Sequence, residues 1–235
     1  MVKSTSENAP QNNQERTPDR LKKRSGKVAG NEPRAPRKRV RARQTGSGPN
    51  AVFLVGFMGA GKSSVGSALG QQLNWVFEDL DDRIEHREGQ TIAEIFRNSG
   101  EAEFRRAEHN ALVQLLEELQ RGGTRVVALG GGAFVQKENA RLLQAAGVPT
   151  IFLNAAVDEL WQRCCKQASA AGAQRPLLRS QTQFRDLYRA RRKSYSQATT
   201  TIETDGRSVD DIAAEIVERL GLKRITIRQE QGEVE

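Results

Sequence analysis

Cysteine is nearly absent from this chain of 235 residues, with Cys164 and Cys165 the only two. Adjacent cysteines make a poor structural disulfide, so the fold is not stapled that way. Histidine is as scarce: His86 and His109, far apart, form no metal-ligand spacing with those cysteines. Both are expected to be ordinary structural or solvated residues. Also missing are any run of about 18 apolar residues that would span a bilayer and any apolar stretch for a secretory signal in the first fifty residues. These absences point to a cytoplasmic protein with no membrane partner. Aromatics make up 5% and apolar residues 37%, a lean supply unless the polar residues are concentrated somewhere.

They are concentrated at the start. Residues Met1 to Asn50 carry 13 Lys/Arg and four acids, a net of +9, whereas the whole chain has +8. The rest of the chain therefore sits at −1. Almost free of large apolar side chains, residues 1–50 cannot bury enough surface to offset the entropy of ordering and are expected to be a disordered basic extension. A transit peptide is the alternative reading, although such peptides are poor in acids and this segment carries four. Thirteen cations allow salt-sensitive binding to a polyanion. The segment has no aromatic residue to stack on bases, so no specific nucleic-acid partner is expected.

From Ala51 the composition changes and strands alternate with helices. Short apolar runs predict strands at Ala51–Val55, Val76–Glu78, Arg125–Leu129, Thr150–Leu153 and Thr200–Glu203. Helical periodicity starts at Lys62, near Asp82 with Asp82 as N-cap, and at Thr91, where Glu94 completes a capping box and Gly100 stops the helix. Further helices are predicted over Glu101–Leu119, around Arg141–Ala146, through Leu160 and Trp161, through Phe184 and Tyr188, and over Val209–Leu220. Cys164 and Cys165 are expected to pack the helix bearing Trp161. Such alternation implies an α/β domain over residues 51–221, a parallel five-stranded sheet in three layers with helices on both faces. The Gln-, Ala- and Ser-rich stretch Gln167–Gln174 is expected to be mobile, part of a lid over about residues 164–185, and residues 222–235 form a charged tail.

Gly56-Phe57-Met58-Gly59-Ala60-Gly61-Lys62-Ser63 fits the phosphate-binding pattern G-x-x-x-x-G-K-[ST] and lies between a predicted strand and a predicted helix. Backbone N–H groups there can surround phosphate oxygens at a helix N-terminus. Lys62 reaches the β- and γ-phosphates and Ser63 ligates Mg²⁺ in this arrangement, so ATP and Mg²⁺ are expected, with Gly59, Ala60, Gly61, Lys62, Ser63 and Ser64 as the nucleotide cradle. The strand Val126-Val127-Ala128-Leu129 runs into Gly130-Gly131-Gly132 rather than acids, and no Asn-Lys-x-Asp stretch occurs. Motor ATPases and GTPases therefore fit less well than a small-molecule kinase. Asp79 and Asp81, two apart at the end of a strand, share a face at the ligand-binding end of a parallel sheet. One can support Mg²⁺ and the other accept a hydroxyl proton. On the helix from Glu101, about 100° per residue puts Arg106 in solvent, Glu108 on the buried face and Arg105 on its flank. A buried Glu108 needs Arg105 as its partner, leaving arginine donors for an anionic ligand. Arg175 and Arg191, near the expected lid, are further cations for transferred charge.

In this order the motifs Gly56 to Ser63, Asp79-Leu80-Asp81, Phe104-Arg105-Arg106-x-Glu108, Gly130-Gly131-Gly132 and Arg175-Pro176-Leu177-Leu178 resemble the shikimate kinase family, over roughly Val52 to Leu220. The resemblance implies transfer of the ATP γ-phosphoryl group to the 3-hydroxyl of shikimate, in aromatic amino-acid biosynthesis; a monomer is expected. It implies Asp79 at Mg²⁺, Asp81 at the shikimate hydroxyls, and Arg105, Arg191 and Gly130 to Gly132 around the shikimate carboxylate and ring. Arg175 would close over the phosphates and Arg163 would lie against adenine. The stretch between Arg163 and Arg175 is longer than in compact members. Around Arg191-Arg192-Lys193-Ser194-Tyr195 the family often has a proline before the tyrosine, so Arg191 and Arg192 both answer to its substrate arginine.

Overall fold

The computed structural model describes residues 48–171 and 180–224, the side chains of 169–171 excepted. The expected basic extension, the far end of the tail and Arg175 with its Pro-Leu-Leu sequel lie outside the described residues. Five strands, β1 (Ala51–Val55), β2 (Val76–Asp79), β3 (Arg125–Ala128), β4 (Thr150–Asn154) and β5 (Thr200–Glu203), form one parallel sheet in the order β2-β3-β1-β4-β5. Every residue of β1 is at most 1% exposed, although its side chains alternate between faces. Both faces are therefore covered, which is why the strand reads as an unbroken apolar run. Phe53 sits at the centre, in register with Val127 on one side and Thr150 on the other.

Among the described residues, seven α-helices connect or follow the strands: α1 (Lys62–Leu73), α2 (Leu80–Glu88), α3 (Ile92–Arg121), α4 (Lys137–Ala146), α5 (Val157–Ala171), α6 (Gln181–Tyr195) and α7 (Val209–Leu220). No helix among the described residues is long and apolar enough to cross a membrane. The capping box at Thr91 is present, and Ser208 caps α7 as its sequence predicts. Three details differ from the sequence reading. The N-cap of α2 is Asp79, not Asp82: the chain passes from β2 straight into the helix, and Asp79 accepts from the Asp81 N–H. The segments on either side of Gly100 form one helix interrupted at that residue (φ 81°, ψ 175°). Finally α5 continues to Ala171, into the stretch expected to be mobile, as suits its alanine and glutamine.

Two groups of contacts hold the ends of strands that carry the site. Phe57, just past β1, is fully buried against Phe184 (ring centroids 4.9 Å) and Tyr188 (5.5 Å) of α6, both edge-on. Each such pair adds about 0.5–1.5 kcal/mol to the burial term. At the opposite edge, Arg83 and Arg125 alternate with Glu78 and Glu118 in a closed ring of ion pairs joining α2, α3, β2 and β3. Arg83 lies one turn along the helix whose start carries Asp81, so the ring braces that start.

Candidate active site

The loop after β1 must reverse sharply so that its N–H groups converge. Gly59 and Gly61 do this with φ of 80° and 86°, values a side chain resists. Gly61 is also the N-cap of α1, which has no side-chain cap and no acid in its first turn. Its leading N–H groups are thus left for an anion. Lys62 Nζ lies over the loop, donating to the carbonyls of Gly56 (3.0 Å) and Phe57 (3.2 Å). Burial lowers its pKa, opposed by the nearby carboxylates of Asp81 and Asp79.

Asp79 lies opposite this loop. Its Oδ1 accepts from the Asp81 N–H at 3.1 Å, and its Oδ2 accepts from the Ser63 hydroxyl at 2.9 Å. Two hard oxygen donors thus meet beside the phosphate loop, a donor set suited to a small divalent cation that keeps water and phosphate as its other ligands. Asp81 Oδ1 is buried without a hydrogen-bond partner among the described residues. Burial, then the charge of Asp79, raise its pKa to about 6, with Lys62 opposing. A carboxylate of this kind can take a proton at neutral pH.

On the far side of the same hollow, Arg105 Nη1 donates to Glu108 Oε2 at 3.0 Å, while its Nε and Nη2 reach Glu101 at 3.3 and 3.2 Å. The expected pair therefore forms, and Arg106 is in solvent, paired with Glu103. Glu108 is fully buried, and burial raises its pKa to about 7 against the pull of Arg105. From α6, Arg191 Nη1 donates to the Gly131 carbonyl at 3.3 Å, and the Tyr195 hydroxyl donates to that same oxygen. Arg192 is exposed, so Arg191 is the arginine that faces the site. Burial pushes the Tyr195 phenol up to about 12.

These groups line a cavity of about 390 Å³ between the phosphate loop and Gly130 to Gly132. Its walls include Gly59, Gly61, Lys62, Ser63, Ser64, Asp79, Asp81, Arg105, the three glycines and Arg191. Ala60 stands behind them, buried, with its N–H bonded to the Phe57 carbonyl. Arg163 is not in the wall: it reaches from α5 to Glu159 (3.0 Å) and to the Thr204 carbonyl (3.0 Å) past the end of β5. Met58, Ile92, Phe96 and Phe104 add apolar surface that motif reading did not single out as part of the site. A larger cavity, about 760 Å³, between α4 and the amino ends of β4 and β5 holds none of these groups.

A phosphate loop after the central strand, two carboxylates across from it and two arginines lining the same cavity define a P-loop kinase of a small molecule. Comparison with known proteins narrows the class. The family model described as shikimate kinase matches residues 58–221. Shikimate kinase of Cereibacter sphaeroides is 40% identical over 175 residues, 73% of this chain and 83% of that protein. The enzyme of Persephonella marina is 36% identical over 170 residues, 72% of this chain and 98% of that one. Among solved structures, shikimate kinase from Acinetobacter baumannii in complex with shikimate superposes with a TM-score of 0.64 at 34% identity, covering 74% of this chain and 93% of its own. The chain belongs to the shikimate kinase family.

Proposed function

We propose that this chain transfers the γ-phosphoryl group of ATP to the 3-hydroxyl of shikimate, giving shikimate 3-phosphate and ADP in aromatic amino-acid biosynthesis. The observation that carries the reading is the opposition, across one cavity, of Lys62 on the phosphate loop and Asp81, whose Oδ1 has no hydrogen-bond partner among the described residues, with Arg105 and Arg191 behind. The loop N–H groups from Gly59 to Ser64 bind the β- and γ-phosphates. Lys62 exchanges its two carbonyl contacts for phosphate oxygens and meets the charge that builds between the β- and γ-phosphates. Ser63 and Asp79 hold Mg²⁺, which when bound supplies charge neutralisation at the phosphates.

Arg105 and Arg191 fix the shikimate carboxylate, and the backbone of Gly130 to Gly132 lets the ring approach closely. Asp81 orients the attacking hydroxyl and takes its proton as the oxygen–phosphorus bond forms and the bond to ADP breaks. Most of the acceleration comes from this alignment and from fixed charge. Arg175 is assigned to the phosphates, from outside the described residues, and Arg163 to the adenine side, where its contact at Thr204 supports it. All these groups come from one chain, so a monomer suffices.

A coupled ADP-release assay across shikimate, gluconate and AMP tests the acceptor, with shikimate preferred as the expected result. Lys62→Ala and Asp81→Asn should each lower turnover on the order of 10²-fold or more. Near-normal turnover in both variants, or preference for another acceptor, would sink the assignment.

A further inference from the structure

Among the described residues Glu108 is the only charged one that is buried. Its two oxygens are treated unequally. Oε2 accepts from Arg105 Nη1 and from the side-chain amide of Gln136, while Oε1 has no hydrogen-bond partner among the described residues. A carboxylate only accepts, so the Gln136 amide is oriented with its NH₂ toward Glu108. Gln136 occupies the N-cap of α4, where a side chain ordinarily bonds the helix's own N–H groups, yet it makes no such bond. Its backbone N–H closes the turn that follows the three glycines, bonding to the Ala133 carbonyl at 3.3 Å.

We infer that Gln136 is a positioning residue for the acceptor subsite: its amide holds Glu108, and through that carboxylate holds Arg105 over Gly132. This rests on the assignment of Arg105 to the shikimate carboxylate. The guanidinium stands between two acids, buried Glu108 and exposed Glu101, whose side chain is 68% accessible. Which acid dominates depends on how firmly Glu108 stays ionised. The groups facing Glu108 are Arg105 on its own helix, Asp81 from α2, Arg191 and Tyr195 from α6, and Gln136 from the start of α4. Among these, Arg105 and Gln136 donate hydrogen bonds to its carboxylate. Without the amide, burial neutralises Glu108 more readily, its grip on Arg105 weakens, and the guanidinium turns out toward Glu101.

The test is steady-state kinetics of the full chain carrying Gln136→Leu or Gln136→Met, two substitutions that remove the donor. The KM for shikimate should rise about tenfold, the loss expected for one hydrogen bond to a charged group. The KM for ATP should stay within about twofold and kcat within about threefold, since the nucleotide cradle is untouched. The acidic limb of kcat/KM for shikimate should move to higher pH, a change a purely structural role would not produce. Gln136→Lys, which restores a donor, should recover most of the KM. A folded donorless variant with unchanged KM for shikimate, or equal changes for both substrates, overturns the inference. Arg105→Lys separates the two claims. If it leaves the shikimate KM unchanged, the Arg105 assignment fails; if it raises KM while Gln136→Met does not, only the role of Gln136 fails.

Discussion

A methyl group placed on Gly130 would enter the narrow space between two carboxylates, pressing to 3.2 Å from both Asp81 Cγ and Glu108 Oε1 and closer still to Asp81 Oδ1. None of Gly130, Gly131 and Gly132 has a left-handed φ, so alanine is conformationally allowed at each and sterics decide the outcome. At Gly130 the obstacles are the buried Glu108 and Asp81, whose Oδ1 is buried although its side chain also lines the cavity. Overpacking of this kind costs about 1–3 kcal/mol, a fall in Tm of roughly 2–12 °C for a domain of this size. The larger effect is on chemistry, because displacing Asp81 by on the order of 1 Å should lower kcat about 10²-fold. At Gly131 the methyl meets Arg191 Nη1 at 3.7 Å, with the Gly56 carbonyl and the Tyr195 hydroxyl at 3.9 Å, ordinary contacts, so Gly131→Ala should keep kcat within about threefold. At Gly132 it would lie 2.7 Å from Arg105 Nη2 and 2.9 Å from Cζ. That guanidinium ends a long side chain and can swing aside at little cost to folding, so Gly132→Ala should raise the shikimate KM about tenfold while leaving kcat nearly intact. ADP release at saturating and graded shikimate, with thermal melts of the three variants, reads all of this. A folded Gly130→Ala enzyme with kcat within threefold of the parent refutes the crowding argument.

Burial raises the pKa of Glu108 from 4.5 to about 7 and of Asp81 from 3.8 to about 6, so the folded state holds both protons more firmly than the unfolded chain. Their contribution to stability is fully present below the lower values and is lost as pH rises through the upper ones. Glu108→Gln should therefore lose less stability than the parent between pH 4.5 and 7, read from urea midpoints; parallel losses contradict the assignment. In the ion-pair ring, Glu118→Gln breaks bonds to Arg83 and Arg125 whose side chains are 18% and 25% exposed. The expected loss is about 1 kcal/mol, shrinking in about 0.5 M salt, and a salt-independent loss argues against an ionic origin. Removing residues 1–47 should leave shikimate turnover within about twofold, because the truncation ends before the described core. It stops short of Asn50, whose carbonyl accepts from Arg125 N at 3.0 Å and whose side chain reaches the Leu119 carbonyl at 3.4 Å; a larger fall in turnover would give the extension a part in catalysis.

What the sequence made legible was local. The phosphate loop is a strand, a turn and a helix within a short span, and the Arg105–Glu108 pair follows from the angle between neighbours on one helix. The Asp82 cap was misread for the opposite reason: nothing local shows that β2 passes into α2 without a linker, which makes Asp79 the cap. Choosing between Arg191 and Arg192 needed the rotation of α6. A signal was available, since Phe184, Tyr188 and Tyr195 recur at i, i+4 and i+11, and Arg191 at i+7 completes their buried face. Gln136 gave no signal, because its partner lies 28 residues earlier and only the packing of α4 beside α3 brings them together.

The divided attachment of Asp79 bears on the catalytic cycle. One oxygen caps α2 and the other meets Ser63. A divalent ion held at the second oxygen would replace only the Ser63 contact and would leave the bond that caps α2 in place. Asp81, in that first turn, need not be rebuilt each time ADP leaves and ATP enters. With the roles proposed above, the acceptor half of the site would stay assembled while the nucleotide half exchanges its contents.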